Sequence, residues 1–224
     1  MWQGRVRSAL LLAAERRSVR RPRETQKLKT VDVYFDYASP FAYLASEVLP
    51  GFGDRAAVSL RWTPIDLMQL ANYENGLPYS PIKRRYVAID AARAAEYYGV
   101  SIRVPKPHPV QSAAALRLAA VAGNEPGFLE LHRALSRAAW REQRDVSSRA
   151  VLADCIAQAN GPVQEWLLEA ETPEAIARLE ANTSEAEAKG VFGVPSMLLD
   201  GELFWGLDSL PVLEWRLHHP RTAV

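Results

Sequence analysis

Ser39 is the first residue whose type and position suggest chemistry. It follows Tyr37-Ala38 and precedes Pro40-Phe41, between a β-branched, aromatic run and an apolar run. Serine then proline suits an N-cap and the first helical position. A hydroxyl there can simply cap the helix, and the spacing alone requires no more. It can also donate to an anionic sulfur, which the free N–H groups and positive dipole end of a helix start would stabilise. A second stretch, Gly190 to Asp208, offers a place for a short peptide ligand. Val194-Pro195 enters a strand, where proline belongs at an edge or bend and where a cis peptide is tolerated. Backbone exposed at Val194 can pair with an extended ligand. Asp208 is expected to cap a helix from Ser209 to about His218, with its carboxylate free to face an ammonium while the amides after it hold a carboxylate. Candidate cations are Lys83 and Arg84, in a charge run with Arg85 that also reads as a solvated face, and Arg117, on an apolar helix where a snorkelling role is the alternative. Asn75 sits in an Asn-Gly pair that can equally be a plain turn.

Elements that would position these residues follow from periodicity. Val31 to Asp36 alternates as a first strand, Phe41 to Leu49 forms a helix closed by Pro50-Gly51, and Val58 to Thr63 is a second strand. Ser196 to Leu199 and Glu202 to Trp205 are strands joined by Asp200-Gly201, a two-residue turn needing φ > 0. From Pro64 to Lys189 nearly everything is helical: Lys83–Tyr98, Gln111–Ala122, Gly127–Trp140, Ser147–Ala159, Pro162–Ala170 and Thr172–Gly190. Ser101 to Pro109 holds three prolines and reads as a loop. The pattern is α/β: a thioredoxin-like β-α-β / β-β-α sheet interrupted by a large all-helical insertion. The expected divisions are a basic, disordered arm over 1–30, a thioredoxin-like domain over 31–63 and 190–219, and a helical domain over 64–189.

Residues 1–30 hold nine Arg/Lys against two Glu, and the remainder 18 against 24, so a +7 arm precedes a −6 body. The arm reads as a leader without structure, its composition also resembling an organelle-targeting peptide. No apolar run approaches the ~20 residues of a membrane span. Cys155, the one cysteine, excludes an internal disulfide and a CxxC motif and is expected to be an inert core residue. The four histidines lack metal spacing, so no metal is expected. There is no GxSxG elbow or P-loop, and no aromatic-basic face for nucleic acid.

Phe35-Asp-Tyr-Ala-Ser-Pro-Phe-Ala-Tyr-Leu44, taken with Gly190-Val-Phe-Gly-Val-Pro-Ser196 and Asp200-Gly-Glu-Leu-Phe-Trp-Gly-Leu-Asp208, resembles the 2-hydroxychromene-2-carboxylate isomerase family, close to the kappa-class glutathione transferases. Pro81 to Tyr86 and His108 to Arg117 are also similar to it. The resemblance implies a thioredoxin fold with a helical insertion, a homodimer and glutathione as a catalytic cofactor; the expected location is cytoplasmic, with organellar targeting by the basic arm as the alternative. It assigns Ser39 to the glutathione sulfur, Val194-Pro195 to the cysteinyl backbone, and Leu207-Asp208 to the γ-glutamyl end. The implied reaction interconverts 2-hydroxychromene-2-carboxylate and trans-o-hydroxybenzylidenepyruvate, an aromatic 2-oxo acid of hydrocarbon catabolism. A thiolate added to the conjugated alkene removes the barrier to rotation. Asn75, Lys83, Arg84 and Arg117 would serve the substrate. Gln111, Ser209 and Asn75–Tyr79 depart from the family pattern, which leaves the ring system open. A kappa-type transferase or peroxidase and a non-catalytic thioredoxin-like binding module are the alternatives.

Overall fold

The computed structural model describes residues 28–73, 79–123 and 125–220. The expectations for residues 1–27 and for Asn75 lie outside these. Four strands form one sheet in the order β2-β1-β3-β4, with β1 (Lys29–Phe35) parallel to β2 (Val58–Pro64) and antiparallel to β3 (Ser196–Leu199), which pairs with β4 (Glu202–Trp205). β1 opens two residues before the expected Val31. The β3–β4 turn takes positive φ at both Asp200 (51°) and Gly201 (81°), the conformation a right-twisted two-residue hairpin selects.

α1 (Pro40–Ala56) carries the chain from β1 to β2. Its expected end at Pro50-Gly51 is corrected: the helix runs on for six residues beyond Pro50. Proline there removes one backbone bond, but the face continuing through Leu49, Phe52 and Gly53 is buried, and that burial outweighs the lost bond. The helix stops at Ala57, left-handed at φ 52°, whose N–H returns to the carbonyls of Gly53 and Asp54.

Among the described residues six helices stand between β2 and β3: α2 (Pro81–Tyr98), α3 (Ala113–Ala122), α4 (Phe128–Trp140), α5 (Arg149–Gln158), α6 (Val163–Glu169) and α7 (Pro173–Ala188). Two short 3-10 turns, Leu67–Gln69 and Ala71–Tyr73, precede them and had no signal in the periodicity. α8 (Leu210–His218) closes the chain. α1, α3 and α7 pack on β2, and α4 packs on α1. Val31, Val33 and Phe35 fill one face of β1, where the Phe35 ring lies 4.1 Å from that of His132 on α4. Tyr34 points the other way, toward Lys189 just past α7. Cys155 is fully buried, and burial pushes its thiol up to about 11, which keeps it protonated and unreactive.

Candidate active site

Ser39 is extended (φ −97°, ψ 125°) and caps α1: its Oγ accepts from the Ala42 N–H at 3.3 Å. The same hydroxyl donates to the Val194 carbonyl at 3.4 Å. The cap and the strand-entry loop are therefore one site, although 155 residues separate them in sequence. Val194–Pro195 is cis, as expected from the sequence. The loop is held on its other side by Gly206 N–H to Pro195 C=O (2.9 Å) and by the Ser196 hydroxyl to Gly193 C=O (2.7 Å). Pro40 has no N–H, so the Phe41 amide is the first donor of α1. Among the described residues it has no partner, nor have the amides of Val194, Leu207 and Asp208.

Asp208 is not the helix cap the sequence suggested. It lies within a 3-10 turn, Leu207–Ser209, that Gly206 opens at φ 80°. α8 starts one residue later than expected, at Leu210, behind a helical Ser209 that makes no side-chain cap. Pro211 offers no N–H to a cap, and the Ser209 hydroxyl turns back to Gly206 C=O (2.7 Å). The exposed Asp208 carboxylate instead folds over Gly206: a Cβ on that glycine would run into its Oδ1. Leu207 is buried beneath.

Of the candidate cations, Lys83 and Arg84 are exposed in the first turn of α2, with Lys83 Nζ 4.5 Å from the centre of the Tyr79 ring. Tyr79 shares a hydrogen bond with buried Tyr73, which feels the charge of Asp36. The Tyr79–Tyr73 bond ties the start of α2 to the 3-10 turn Ala71–Tyr73. Arg117 is elsewhere: its Nε donates to Ala170 C=O (3.0 Å) at the end of α6, tying α3 to α6. Among the described residues no hydrogen bond joins Arg117 to Ser39, Val194 or Asp208.

Sequence reasoning missed Asp36 and His132. Asp36 is 1% exposed, three residues before Ser39. Its carboxylate accepts from the Ala38 N–H (2.8 Å), the Leu67 N–H (2.9 Å) and the Ser112 hydroxyl. One side chain thus fastens the Ser39 turn to the segment after β2 and to the start of α3. Burial pushes its carboxyl up to about 6 despite these donors. The signal was an acid directly after the buried Val33-Tyr34-Phe35 run. His132 packs among Phe35, Trp62, Tyr37 and Phe128. Its Nδ1 lies 3.3 Å from the Tyr37 hydroxyl, and its Nε2 is buried without a partner among the described residues. Burial pushes this imidazole down to about 3, so it is neutral at physiological pH. Its signal was position: Phe128, His132 and Leu135 share one helical face. Among the described residues no group of His, Cys, Asp and Glu could hold a metal, and no helix is long and apolar enough to cross a membrane.

The family model for DsbA-like thioredoxin domains matches residues 30–218. A 2-hydroxychromene-2-carboxylate isomerase of Sphingobium xenophagum is 31% identical over 193 residues, covering 83% of this chain and 96% of the relative. A solved structure of 2-hydroxychromene-2-carboxylate isomerase superposes with a TM-score of 0.77 at 26% identity, covering 85% of this chain and 95% of the other. Glutathione S-transferase kappa 2 of Caenorhabditis elegans is 25% identical over 200 residues, 82% of this chain and 89% of the relative. The chain belongs to the DsbA-like thioredoxin-domain family and, within it, to the 2-hydroxychromene-2-carboxylate isomerases. It is thus an isomerase by family, on a fold best known for dithiol chemistry that its single, buried cysteine could not perform.

Proposed function

We propose that the protein is a glutathione-dependent isomerase that interconverts 2-hydroxychromene-2-carboxylate and trans-o-hydroxybenzylidenepyruvate. The observation that carries this reading is the 3.4 Å approach of the Ser39 hydroxyl to the Val194 carbonyl. It sets a hydroxyl and a helix N-terminus beside a backbone edge, the two features a thiol-bearing peptide would need at once.

The residues present fit glutathione. Its peptide would lie along Val194, whose N–H has no partner among the described residues. The Leu207 and Asp208 amides would hold the γ-glutamyl carboxylate, and the Asp208 side chain its ammonium. Bound glutathione would supply a thiolate whose reversible addition to the conjugated alkene lets that bond rotate. The chain's own contribution is electrostatic. Ser39, already held by Ala42 and Val194, can turn its proton to an anionic sulfur, and the free Phe41 amide adds a second donor. Asp36 keeps the turn in place from below, by its bond to the Ala38 amide. Lys83 and Arg84 are assigned to the substrate carboxylate. Isothermal titration with glutathione tests the cofactor: saturable binding supports the reading, and its absence removes it.

Asp208→Asn separates recognition from structure. Asp208 is exposed and caps nothing, so the melting temperature should stay unchanged. Glutathione affinity should fall by roughly 1.5–3 kcal/mol, the worth of a hydrogen bond to a charged group. Equal dissociation constants would assign the ammonium elsewhere.

A kappa-type transferase is the second reading, favoured by the kappa 2 relative. It uses the same site but conjugates an electrophile such as chlorodinitrobenzene. Isomerisation without conjugation decides against it.

The proposed assembly is a homodimer. α2 has 18 residues yet buries only Ala91 and Ala95, while Ile82, Tyr86, Ile89 and Tyr97 are exposed. A helix this poorly packed draws little stability from its own chain, so a second copy would cover the face. Tyr86→Glu should convert the dimer to a monomer in analytical ultracentrifugation. A monomeric wild type, or a variant that stays dimeric, contradicts this placement. The aromatic 2-oxo acid substrate and a cytoplasmic location belong to the same proposal.

A further inference from the structure

Beyond the Ser39 site, a concavity of about 650 Å³ opens against α4. Arg133 and Arg137 line it from one stripe of that helix, Arg141 from the residue just past its end and Arg103 from the loop before α3, and Glu130 and Glu142 share the lining. Like charges at i, i+4 and i+8 repel one another. Part of the repulsion is relieved from α1: Glu47, with its side chain 12% exposed, accepts from Arg137 at 2.6 and 2.7 Å and from Arg133 at 3.0 Å. Burial alone would raise the Glu47 carboxyl, but these bonds outweigh it and hold it below the usual range. One carboxylate therefore serves two guanidinium groups. Arg103 and Arg141 have no acidic partner among the described residues, and the Arg133 Nε is buried without a hydrogen bond.

The backbone segments that carry Arg103 and Arg141 are joined. Arg103 N–H donates to Trp140 C=O (2.6 Å) at the end of α4, and Gln143 Nε2 donates to Val104 C=O (2.8 Å). Two elements far apart in sequence are thereby fixed with unpaired guanidinium groups facing one concavity. Its volume lies in the range of small-molecule sites. Ala134 is the one apolar side chain in the lining, so an aromatic compound would gain little there. Guanidinium forks match ligands with several acceptor oxygens. We propose that this cleft binds a small multivalent oxyanion, bridging Arg103 and Arg141 beside the Glu47-held pair. It is distinct from the Ser39 site, whose residues do not line it.

Calorimetric titration of the full protein with pyrophosphate, inorganic phosphate and citrate, each at ionic strength matched with sodium chloride, tests this. At least one should bind saturably at a single site. Binding of pyrophosphate or phosphate alone identifies a phosphate ligand, and binding of citrate alone a polycarboxylate. The double variant Arg103→Gln, Arg141→Gln should weaken that binding at least tenfold and leave glutathione binding unchanged. Arg93→Gln, an exposed α2 arginine outside the cleft, should leave anion affinity intact. No saturable binding to any of the three, or equal affinity in the double variant, overturns the proposal.

Discussion

Ser39→Ala should lower kcat by about 10²-fold, the usual cost of losing one preorganised donor to developing or bound negative charge. The substitution removes two interactions, the cap to Ala42 and the donor poised at Val194. The cap alone is worth about 1 kcal/mol of stability. Ser39→Gly separates the two roles, because glycine at an N-cap costs only a few tenths of a kcal/mol relative to serine. Both variants should lose activity equally while differing in melting temperature. The acid limb of the rate profile should also move to higher pH in both, since a thiol without its donor ionises later. Activity that instead follows stability, high in the glycine variant and low in the alanine variant, would reduce Ser39 to a helix cap.

The second large effect concerns acid stability. His132, pushed down to about 3 by burial, is a depressed group. Its contribution is complete above the unfolded value near 6.5 and is lost as pH falls through about 3. The full difference is about 5 kcal/mol. Asp36, raised to about 6, has the opposite sign. Its contribution is complete below the unfolded value of 3.8 and is lost as pH rises through about 6. Near pH 5 the unfolded chain takes up a proton at His132 and releases one at Asp36, so the two slopes cancel. His132→Phe keeps the aromatic packing and removes one slope. It leaves the Tyr37 hydroxyl unpaired, at a cost of about 1–3 kcal/mol at neutral pH. Relative to wild type it should then gain about 1.4 kcal/mol per pH unit between pH 6 and 4, one proton's worth. Urea unfolding of both proteins at pH 4, 5, 6 and 7 checks this. Parallel profiles would mean that His132 is not held neutral by the fold.

Local patterns announced most of the fold. Alternation marked the strands, Asp200-Gly201 fixed the hairpin, and Ser39-Pro40 marked the start of α1. Errors arose where a distant partner overrides a local preference. Pro50 is a helix breaker by itself, but the buried face of α1 carries the helix past it. Asp208 is a good cap by composition, yet Gly206 and Pro211 lead the chain through a 3-10 turn first. The site was legible only in halves. Ser39 and Val194 each had a local reading, whereas their approach across the sheet is a tertiary fact. Arg117 shows the converse: on an apolar helix it read as either a snorkelling or a substrate-facing cation, and the carbonyl its Nε bonds, just past α6, is a tertiary partner no local pattern names. The roles of Asp36 and His132 depend on desolvation, which no short stretch of sequence records.

The central claim, thiol-dependent isomerisation at Ser39, is tested most directly by following 2-hydroxychromene-2-carboxylate turnover with protein freed of thiols and then supplied with glutathione. The account predicts no turnover before addition, turnover after it, and none with S-methylglutathione, which keeps the peptide but lacks the nucleophile. Full turnover by the thiol-free protein, or none with glutathione present, would contradict it.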